Sequence, residues 1–353
     1  MNILYILPSF STVGGTAAKV LALVNASKCN SFAVGPNLVK DDNFFQDWEQ
    51  ANVSFFRYES PCSFWKRMNF VKNLIAKLEI HVIHTFFPEG MYIAVMCKMI
   101  YPHIKVVRSL EGPVKRKMLI RIASWAAFHC CNHIISISQY VKHYYKEYVK
   151  LAPNSVIYNC AYNIVQNSYA PLEHGVCRLL CVCGLNENKN IPLFPEIARE
   201  LKNRDFAFHI TICGEGPLRE WLVEKIKEYK LENYFFLPGR VPRPQVYYKE
   251  TDIYIHPADL EGFGLSVAEA MSAGLPVIVS DKGALPELIQ NGKSGIVVNA
   301  YKAEEWAENI LKLYEDKLYM LKLGNQAKQH YENRFAPSIY ASKIDSLYDR
   351  LLN

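Results

Sequence analysis

Short apolar runs rich in β-branched residues recur along the chain, and helix-length segments of mixed polarity separate them. Strands that alternate with helices in this way predict parallel sheets covered by helices on both faces. The pattern occurs in both halves of the chain, so we predict two sheets. The predicted strands are 3–7, 32–34, 82–87, 106–107, 134–137 and 156–158 in the first half, and 179–183, 208–213, 235–237, 253–256, 277–279 and 296–298 in the second half.

A polar segment without periodicity, 163–175, lies between the two sets of runs and is typical of an interdomain linker. We predict a first domain at residues 1–165 and a second at 176–336, both doubly wound α/β domains of the Rossmann-like kind. Ligands bind such sheets beyond the carboxyl ends of the strands, so we expect the two domains to face each other across a working cleft. The remaining segment, 337–353, is an amphipathic helix that either covers a domain face or crosses back to the first domain.

Composition narrows the class of protein. Hydrophobic residues make up 50% of the 353, which allows a large core and excludes a disordered chain. The net charge of +6 comes without basic runs, so we expect no nucleic-acid partner. The ten cysteines show no metal-ligand spacing. We find neither a signal peptide nor an apolar stretch of ~18 residues, and we therefore expect a cytoplasmic protein with reduced thiols.

The densest candidate site is the segment 261–271, EGFGLSVAEAM, which lies between two predicted strands. Gly262 and Gly264 allow the backbone to approach a ligand closely. A helix that begins near Leu265 presents unpaired amide groups to an anion, and a diphosphate fits this environment. The segment therefore predicts an anion site at the carboxyl end of a strand.

Two glutamates in this segment, Glu261 and Glu269, supply carboxylates that can accept paired hydrogen bonds from vicinal sugar hydroxyls. The alternative interpretation is that Glu261 caps the helix and Glu269 is a solvated surface residue. The glycine-rich setting favours the ligand-binding interpretation.

The spacing of the two glutamates within EGFGLSVAEAMSAGLPV resembles the E-x7-E motif of family 4 retaining glycosyltransferases, which have the GT-B fold. Two further segments agree with that family in order and spacing. Residues 213–218, CGEGPL, resemble its G-x-G-P-L turn, and LPELI at 285–289 precedes two glycines. In the first half, Gly14 and Gly15 resemble the family's glycine pair after the first strand.

The resemblance implies a role for each matched residue. Glu261 would contact the hydroxyls of the donor sugar, Glu269 would hold the nucleotide ribose, and Lys189 would neutralise the departing diphosphate as a catalytic group. The other donor-binding residues would line the sugar and diphosphate: Gly14, Gly15, Gly214, Gly216, Gly262, Phe263, Gly264 and Leu265.

One phosphate-binding arginine of the family has no counterpart here. It would lie five or six residues before Lys189, where this chain has Cys183 and Gly184. Arg240, in the loop after strand 235–237, is our candidate substitute for binding the donor, with Arg243 beside it as an alternative.

The family's first-domain histidine also has no counterpart. The stretch after strand 106–107 has Glu111 at or near that position, and we assign Glu111 a catalytic role. His84 is a further candidate, with a hydrogen-bonded strand-end histidine as the alternative interpretation.

Loss of a nucleoside diphosphate builds negative charge on phosphate, which Lys189 and the helix at Leu265 are suited to stabilise. We find no convincing Asp-x-Asp metal motif and expect neither a metal ion nor another cofactor. The resemblance further implies retention of anomeric configuration. We predict retaining transfer of a hexose or N-acetylhexosamine from a nucleotide sugar to a glycan or lipid-linked acceptor in surface polysaccharide synthesis. A UDP-sugar is the favoured donor and GDP-mannose the second candidate.

Other functions fit parts of the pattern. A nucleotide-sugar epimerase of the same fold, or a non-catalytic nucleotide-sugar-binding protein, would carry the same motifs. A glycoside hydrolase has no use for the phosphate site, and a nicotinamide dehydrogenase would need the G-x-G-x-x-G fingerprint. The segment 115–125 puts cations beside apolar residues, which favours a packing helix with a charged start over a peripheral contact with the inner membrane face.

Overall fold

The computed structural model of the protein describes residues 1–10, 15–37, 43–113, 118–161, 164 and 175–353, with backbone alone at 37, 43–45 and 118–123. The chain forms two compact units. The first contains Met1–Ala161 together with Pro337–Asn353, and the second contains Tyr162–Ala336. The proposed linker, 163–175, falls largely outside the described residues.

The first unit is built on one parallel sheet. Its strands are β1 (Asn2–Ile6), β2 (Asn30–Asn37), β3 (Ser54–Glu59), β4 (Val82–Thr85), β5 (Lys105–Leu110), β6 (His133–Ser136) and β7 (Asn154–Val156). Their order across the sheet is β3-β2-β1-β4-β5-β6-β7. The central strands bury residues on both faces, as β4 does along its whole length, because helices cover both sides of the sheet.

The helices of this unit connect the strands in sequence. They are α1 (Gly15–Ala26), α2 (Asn43–Glu49), α3 (Phe64–Leu78), α4 (Pro88–Ile100), α5 (Met118–His129), α6 (Gln139–Tyr144) and α7 (Lys146–Val149). Ser63 caps α3 by accepting a hydrogen bond from the Lys66 amide, and Pro88 occupies the first position of α4, where its missing N–H costs nothing.

The second unit repeats the architecture. Its strands are β8 (Cys177–Val182), β9 (Phe208–Cys213), β10 (Phe235–Gly239), β11 (Ile253–His256), β12 (Val277–Ser280) and β13 (Ile296–Val298). They are parallel in the order β10-β9-β8-β11-β12-β13. The predicted α/β class with parallel sheets is confirmed in both units.

The helices of the second unit pack its apolar side chains into a continuous core under the sheet. They are α8 (Leu193–Asn203), α9 (Arg219–Glu228), α10 (Gln245–Lys249), α11 (Leu265–Ser272), α12 (Leu285–Leu288), α13 (Ala303–Glu315) and α14 (Lys317–Arg334). One 3₁₀ turn, Glu187–Lys189, follows β8. Gly324 of α14 lies so close to the Gly274 carbonyl that a Cβ there would overlap it, which brings α14 tightly against the end of α11.

The C-terminal helix, α15 (Pro337–Leu352), belongs to the first unit, the second of the two alternatives that the sequence leaves open. Asp345 accepts hydrogen bonds from the Ser27 hydroxyl at 2.7 Å and from the Lys28 amide at 3.0 Å, at the end of α1. The buried face of α15 carries Tyr340, Ile344, Leu347 and Tyr348.

One strand escaped the sequence analysis. β3 lies at the edge of its sheet, none of its residues is fully buried, and Arg57 and Glu59 interrupt the apolar run. Because an edge strand has one neighbour, it needs less apolar surface than a central one, and its pattern is correspondingly weak.

Across the described ranges, no helix combines the length and apolar character needed to cross a bilayer.

Candidate functional site

Two loops meet at the carboxyl ends of the neighbouring strands β8 and β11. The amides of Asp259 and Leu260, in the loop after β11, both donate to the carbonyl oxygen of Asn188, at 2.9 and 3.0 Å. Asn188 lies in the 3₁₀ turn after β8. Because the backbone joins the two loops at this point, the next residue in each direction, Lys189 and Glu261, is brought to the same place.

Glu261 is the centre of the resulting cluster. Its Oε2 accepts a hydrogen bond from the ammonium group of Lys189 and lies 3.3 Å from Nε2 of His256, while its Oε1 accepts from the Gly262 amide at 3.2 Å. The side chains of Lys189 and Glu261 are 20% and 17% exposed. The pair is therefore largely withdrawn from water but still open to a ligand.

The charges of the cluster are set by this contact. Burial alone would raise the pKa of Glu261, but the Lys189 ammonium and the hydrogen bond from His256 hold that pKa well below its usual range. Burial opposes the charge of Lys189 as well, and the carboxylate outweighs it, so the pKa of Lys189 is raised. Burial lowers the pKa of His256. At neutral pH the site is a carboxylate and an ammonium beside a neutral imidazole.

His256 was missed by the sequence analysis, although it ends the predicted strand 253–256. An ionised carboxylate can only accept hydrogen bonds, so the Nε2 of His256 must carry the ring proton. Its Nδ1 then accepts, and the Tyr254 hydroxyl at 3.3 Å and the Cys181 thiol at 3.8 Å are within reach as donors. A polar residue that ends a buried strand five residues before Glu261 was the available signal.

Glu269 lies on α11 and has a separate environment. Its Oε2 accepts a hydrogen bond at 2.8 Å from the hydroxyl of Tyr248, a fully buried residue of α10. Burial raises the pKa of Glu269 to about 7, and the hydrogen bond from Tyr248 only partly opposes this. Burial therefore favours the neutral form of Glu269. Tyr248 carries no motif and was not predicted.

The N-terminus of α11 has no side-chain cap. Gly264 precedes the helix with φ +103°, a conformation that favours glycine, and it has no side chain with which to cap the first turn. Phe263 turns its side chain inward, where the ring meets that of Phe335 at 5.5 Å, so only its backbone faces the loop. The helix begins at Leu265 without a side-chain cap, and binding of a diphosphate by its amide groups stays a prediction.

Gly214 and Gly216 let a second pair of loops pack together. A Cβ at Gly214 would overlap the carbonyl oxygen of Cys183, and one at Gly216 would overlap that of Leu185. The Leu185 amide also donates to the Glu215 carbonyl at 3.0 Å. The structure thus gives the two glycines a packing role after β8 and β9, and their contact with the donor stays a prediction.

Arg240 is not part of the cluster. It is exposed and follows β10, which is the edge strand and is separated from β11 by β9 and β8. The position of the family arginine is occupied by the half-buried thiol of Cys183, in the loop that leads to Lys189. A role for Arg240 at the donor stays a prediction, and Arg240 would act from the edge of the sheet that β10 forms.

In the first unit, Glu111 has a cation as its partner. Its Oε1 accepts a hydrogen bond at 2.5 Å from Lys19 of α1, whose side chain is fully buried with its ammonium group 4.7 Å from the Phe86 ring centroid. Glu111 itself is 14% exposed. Gly15 begins α1, whereas Gly14 lies outside the described residues.

His84 belongs to the core of the first unit. It is fully buried, with Nδ1 2.6 Å from the Tyr348 hydroxyl and Nε2 2.7 Å from the Ser109 hydroxyl. Both ring nitrogens are therefore engaged by side chains of the unit. The structural interpretation of His84 holds, with hydroxyl groups rather than backbone groups as its partners.

Two family models match the chain, and together they cover more than half of it. The model of glycosyl transferases group 1 matches residues 173–330, and that of glycosyltransferase family 4 matches residues 41–161. The chain is 30% identical over 186 residues to the amylovoran biosynthesis glycosyltransferase AmsK of Erwinia amylovora, which covers 50% of this chain and 46% of AmsK. It is 26% identical over 162 residues to the poly(ribitol-phosphate) α-N-acetylglucosaminyltransferase of Staphylococcus aureus, covering 46% of this chain and 33% of that protein. The chain thus aligns with about half or less of the length of these relatives.

Solved structures agree in fold over nearly the whole chain. A glycosyltransferase from Rickettsia africae superposes with a TM-score of 0.84 at 17% identity, covering 100% of this chain and 98% of the other. HepE of Anabaena, crystallised with UDP-glucose, superposes with a TM-score of 0.78 at 17% identity, covering 99% of this chain and 100% of the other. At these identities the likeness establishes the fold.

Proposed function

Because the chain belongs to the family 4 glycosyltransferases of group 1 and has the GT-B fold, we propose that it transfers a sugar from a nucleotide donor with retention of anomeric configuration and without a metal ion. The sugar is a hexose or an N-acetylhexosamine. The acceptor is a glycan or a lipid-linked saccharide, bound by the first unit, and the product belongs to a surface polysaccharide.

The observation that carries the proposal is the contact between Lys189 and Glu261 at the carboxyl ends of β8 and β11. The pair holds a carboxylate and an ammonium group ready in their charged forms. A sugar diphosphate matches both, since its hydroxyls donate to carboxylates and its phosphate oxygens attract ammonium groups. A bound donor would separate the pair: its sugar hydroxyls would bind Glu261 and its phosphate oxygens would bind Lys189.

The proposed chemistry breaks the bond between the anomeric carbon and the diphosphate oxygen. The acceptor oxygen bonds to the same carbon on the face that the diphosphate leaves, and the acceptor proton passes to the departing phosphate. Negative charge grows on the diphosphate, where Lys189 and the amides at Leu265 stabilise it. Lys189 would supply there the positive charge that a divalent cation supplies in metal-dependent transferases.

A UDP-sugar is the donor that we favour, with GDP-mannose as the second candidate. Support comes from HepE, which shares the fold and was crystallised with UDP-glucose. In the second unit, Glu269 would bind the ribose of the nucleotide through its carboxylate, and Tyr248 would orient that carboxylate. The amylovoran and poly(ribitol-phosphate) enzymes, named for polymers, support a polysaccharide acceptor.

The test is binding and slow hydrolysis across a panel of UDP-, GDP- and ADP-sugars in the presence of EDTA. We expect one donor to bind selectively, and we expect Glu261→Ala and Glu269→Ala to weaken it. Glu304→Ala, at an exposed position in the first turn of α13, is the matched control and should behave as the wild type. Failure of every donor to bind would reject the donor site, and only the fold assignment would remain.

A second candidate function is donor binding without turnover. Cys183 in place of a phosphate-binding arginine favours it, because a thiol cannot stabilise the charge of a departing diphosphate as a guanidinium can. Tight binding of a donor with neither hydrolysis nor transfer, and a gain of turnover in Cys183→Arg, would select this candidate.

Peripheral membrane contact and a location at the inner membrane face are further parts of the proposal. Residues 115–117 lie outside the described part of the chain, and the support is the side chain of Trp125, which is 54% exposed on α5. Amphipathic aromatic side chains favour the bilayer interface. Cosedimentation with anionic vesicles that Trp125→Ala weakens would support the contact, and no cosedimentation of the wild type would exclude it.

A further inference from the structure

A cavity of about 330 Å³ opens in the first unit, and none of the residues assigned above lines it. It lies at the carboxyl ends of β1, β2 and β3 and reaches the start of α4. Its lining consists of Ile6, Leu7, Pro8, Pro36, Tyr58, Ser60, Pro61, Cys62, Arg67, Phe87, Glu89, Gly90 and Ile93. The volume is within the range of ~300–1,000 Å³ that small-molecule sites occupy.

The position of the cavity is one that doubly wound sheets use for ligands. β1 pairs with β2 on one side and with β4 on the other. The chain runs outward from β1 to β2 and β3 and then returns to β4, so the strand order reverses between β1 and β4. Ligands of such sheets bind at this reversal, beyond the carboxyl ends of the strands.

The charges in the cavity cancel. Of the described residues that line it, Arg67 and Glu89 are charged, and an Nη1 of Arg67 forms an ion pair with Oε1 of Glu89. Arg67 also donates a hydrogen bond to the Tyr58 hydroxyl. Glu89 also lies in the first turn of α4, where its carboxylate already complements the helix dipole. A phosphate would therefore meet no unbalanced positive charge here, in contrast to the diphosphate region beside Lys189.

The remaining surface suits a ring with hydroxyl groups on its rim and C–H groups on its faces. The ring of Phe87 is 36% exposed, and Pro8, Pro61 and Ile93 add apolar surface. Glu89 is 50% exposed and keeps carboxylate lone pairs for hydroxyl donors. A few placed polar groups among apolar walls are the usual composition of a small-molecule site.

We propose that this cavity is a subsite for one neutral pyranose ring of the acceptor. The inference rests on the proposed function, since a transferase of this family must bind a saccharide as well as a donor. It adds the chemistry of the subsite: Glu89, Arg67 and Tyr58 hold the hydroxyl groups, and the apolar walls cover a face of the ring.

Three cysteines allow the test to be made on the unmodified chain. Cys62 lines the cavity and is half-buried, Cys183 is half-buried in the loop before Lys189, and Cys130 is exposed. We would follow alkylation of each thiol by iodoacetamide under native conditions, by peptide mass spectrometry. Methyl glucopyranoside and methyl N-acetylglucosaminide should slow the labelling of Cys62 in a saturable manner, UDP should slow that of Cys183, and Cys130 should be unaffected by both.

The outcomes separate the cavity from the donor site. No protection of Cys62 by either glycoside would overturn the subsite, and stronger protection by glucose 6-phosphate than by the glycosides would overturn its neutral character. No protection of Cys183 by UDP would count against the proposed donor site, and the result at Cys62 would still stand on its own.

Charge variants sharpen the assignment. Glu89→Gln leaves Arg67 without its carboxylate partner, so we expect protection by the neutral glycosides to weaken about 10-fold and protection by glucose 6-phosphate to appear. Lys66→Gln, at an exposed neighbouring position on α3, is the matched control and should match the wild type. Equal behaviour of the two variants, with thermal unfolding unchanged, would remove Glu89 from the subsite and reject the proposal.

Discussion

The two units carry similar sets of side chains in different states. Each has a lysine paired with a glutamate and a buried histidine on a central strand: Lys19, Glu111 and His84 in the first unit, and Lys189, Glu261 and His256 in the second. In the first unit the lysine side chain is 0% exposed and the histidine is bonded to two hydroxyls. In the second the lysine is 20% exposed and the histidine contacts the carboxylate.

The difference shows that residue types alone do not identify a site. Lys19 is covered by the protein and has the Phe86 ring beside it, so its role is to balance Glu111 within the unit. Lys189 and Glu261 both keep part of their surface, and a ligand can compete for either of them. Access to the charged atoms, rather than the presence of a charged pair, separates the two clusters.

The largest expected effect is on stability in the first unit. Lys19→Met should lower the free energy of unfolding by ~3–5 kcal/mol, because it leaves Glu111 as an uncompensated, largely buried charge. Lys189→Met should lower it less, since Glu261 is beside the open loop. Urea unfolding of both variants measures this, and a greater loss in Lys189→Met would break the comparison.

The next effect is on turnover in the second unit. Glu261→Gln removes the carboxylate that receives the sugar hydroxyls, and we expect kcat/KM to fall by about 10²–10³-fold, as for other preorganised polar groups. Glu111→Gln is the matched change in the first unit. An equal fall in Glu111→Gln, measured by donor turnover, would instead support the catalytic role that the sequence predicts for Glu111.

Substitution of the two histidines should likewise affect turnover in the second unit and stability in the first. His256→Asn should lower kcat/KM about 10-fold, because Glu261 loses a hydrogen bond that orients it. His84→Asn should leave kcat/KM of the folded protein unchanged and lower the free energy of unfolding by ~1–3 kcal/mol, since the Ser109 and Tyr348 hydroxyls lose a buried partner. The reverse assignment of the two effects, by kinetics and urea unfolding, would refute this.

The smallest effect concerns pH. The pKa of Glu269 is raised to about 7 in the fold, above its unfolded value, so the stability it contributes is present below about pH 4.3 and is lost as pH rises through 7. Glu269→Gln removes this loss and should unfold a few degrees higher than the wild type at pH 8, with little difference at pH 4. Glu304→Gln is the exposed control, and an equal shift at both pH values would count against the burial of Glu269.

The strands of the second unit were accessible from sequence because each is a short apolar run between turns. β3 was not, since an edge strand tolerates Arg57 and Glu59. Glu261, Lys189 and Glu269 were found through a motif. His256 had a weaker signal, a polar residue that ends a buried strand, and its importance depends on where β11 places it beside Glu261. Tyr248 had no local signal, because its importance comes from where α10 places it in space.

The position of α15 also affects the order in which the two units can complete folding during synthesis. The first unit needs residues 337–353 to cover α1 and to supply the Tyr348 hydroxyl to His84. A ribosome makes those residues only after the whole of the second unit, which can close its core while α15 is still being synthesised. The first unit therefore stays incompletely covered until α15 has been synthesised. A nascent chain that ends at residue 336 would contain a folded second unit and an incomplete first unit.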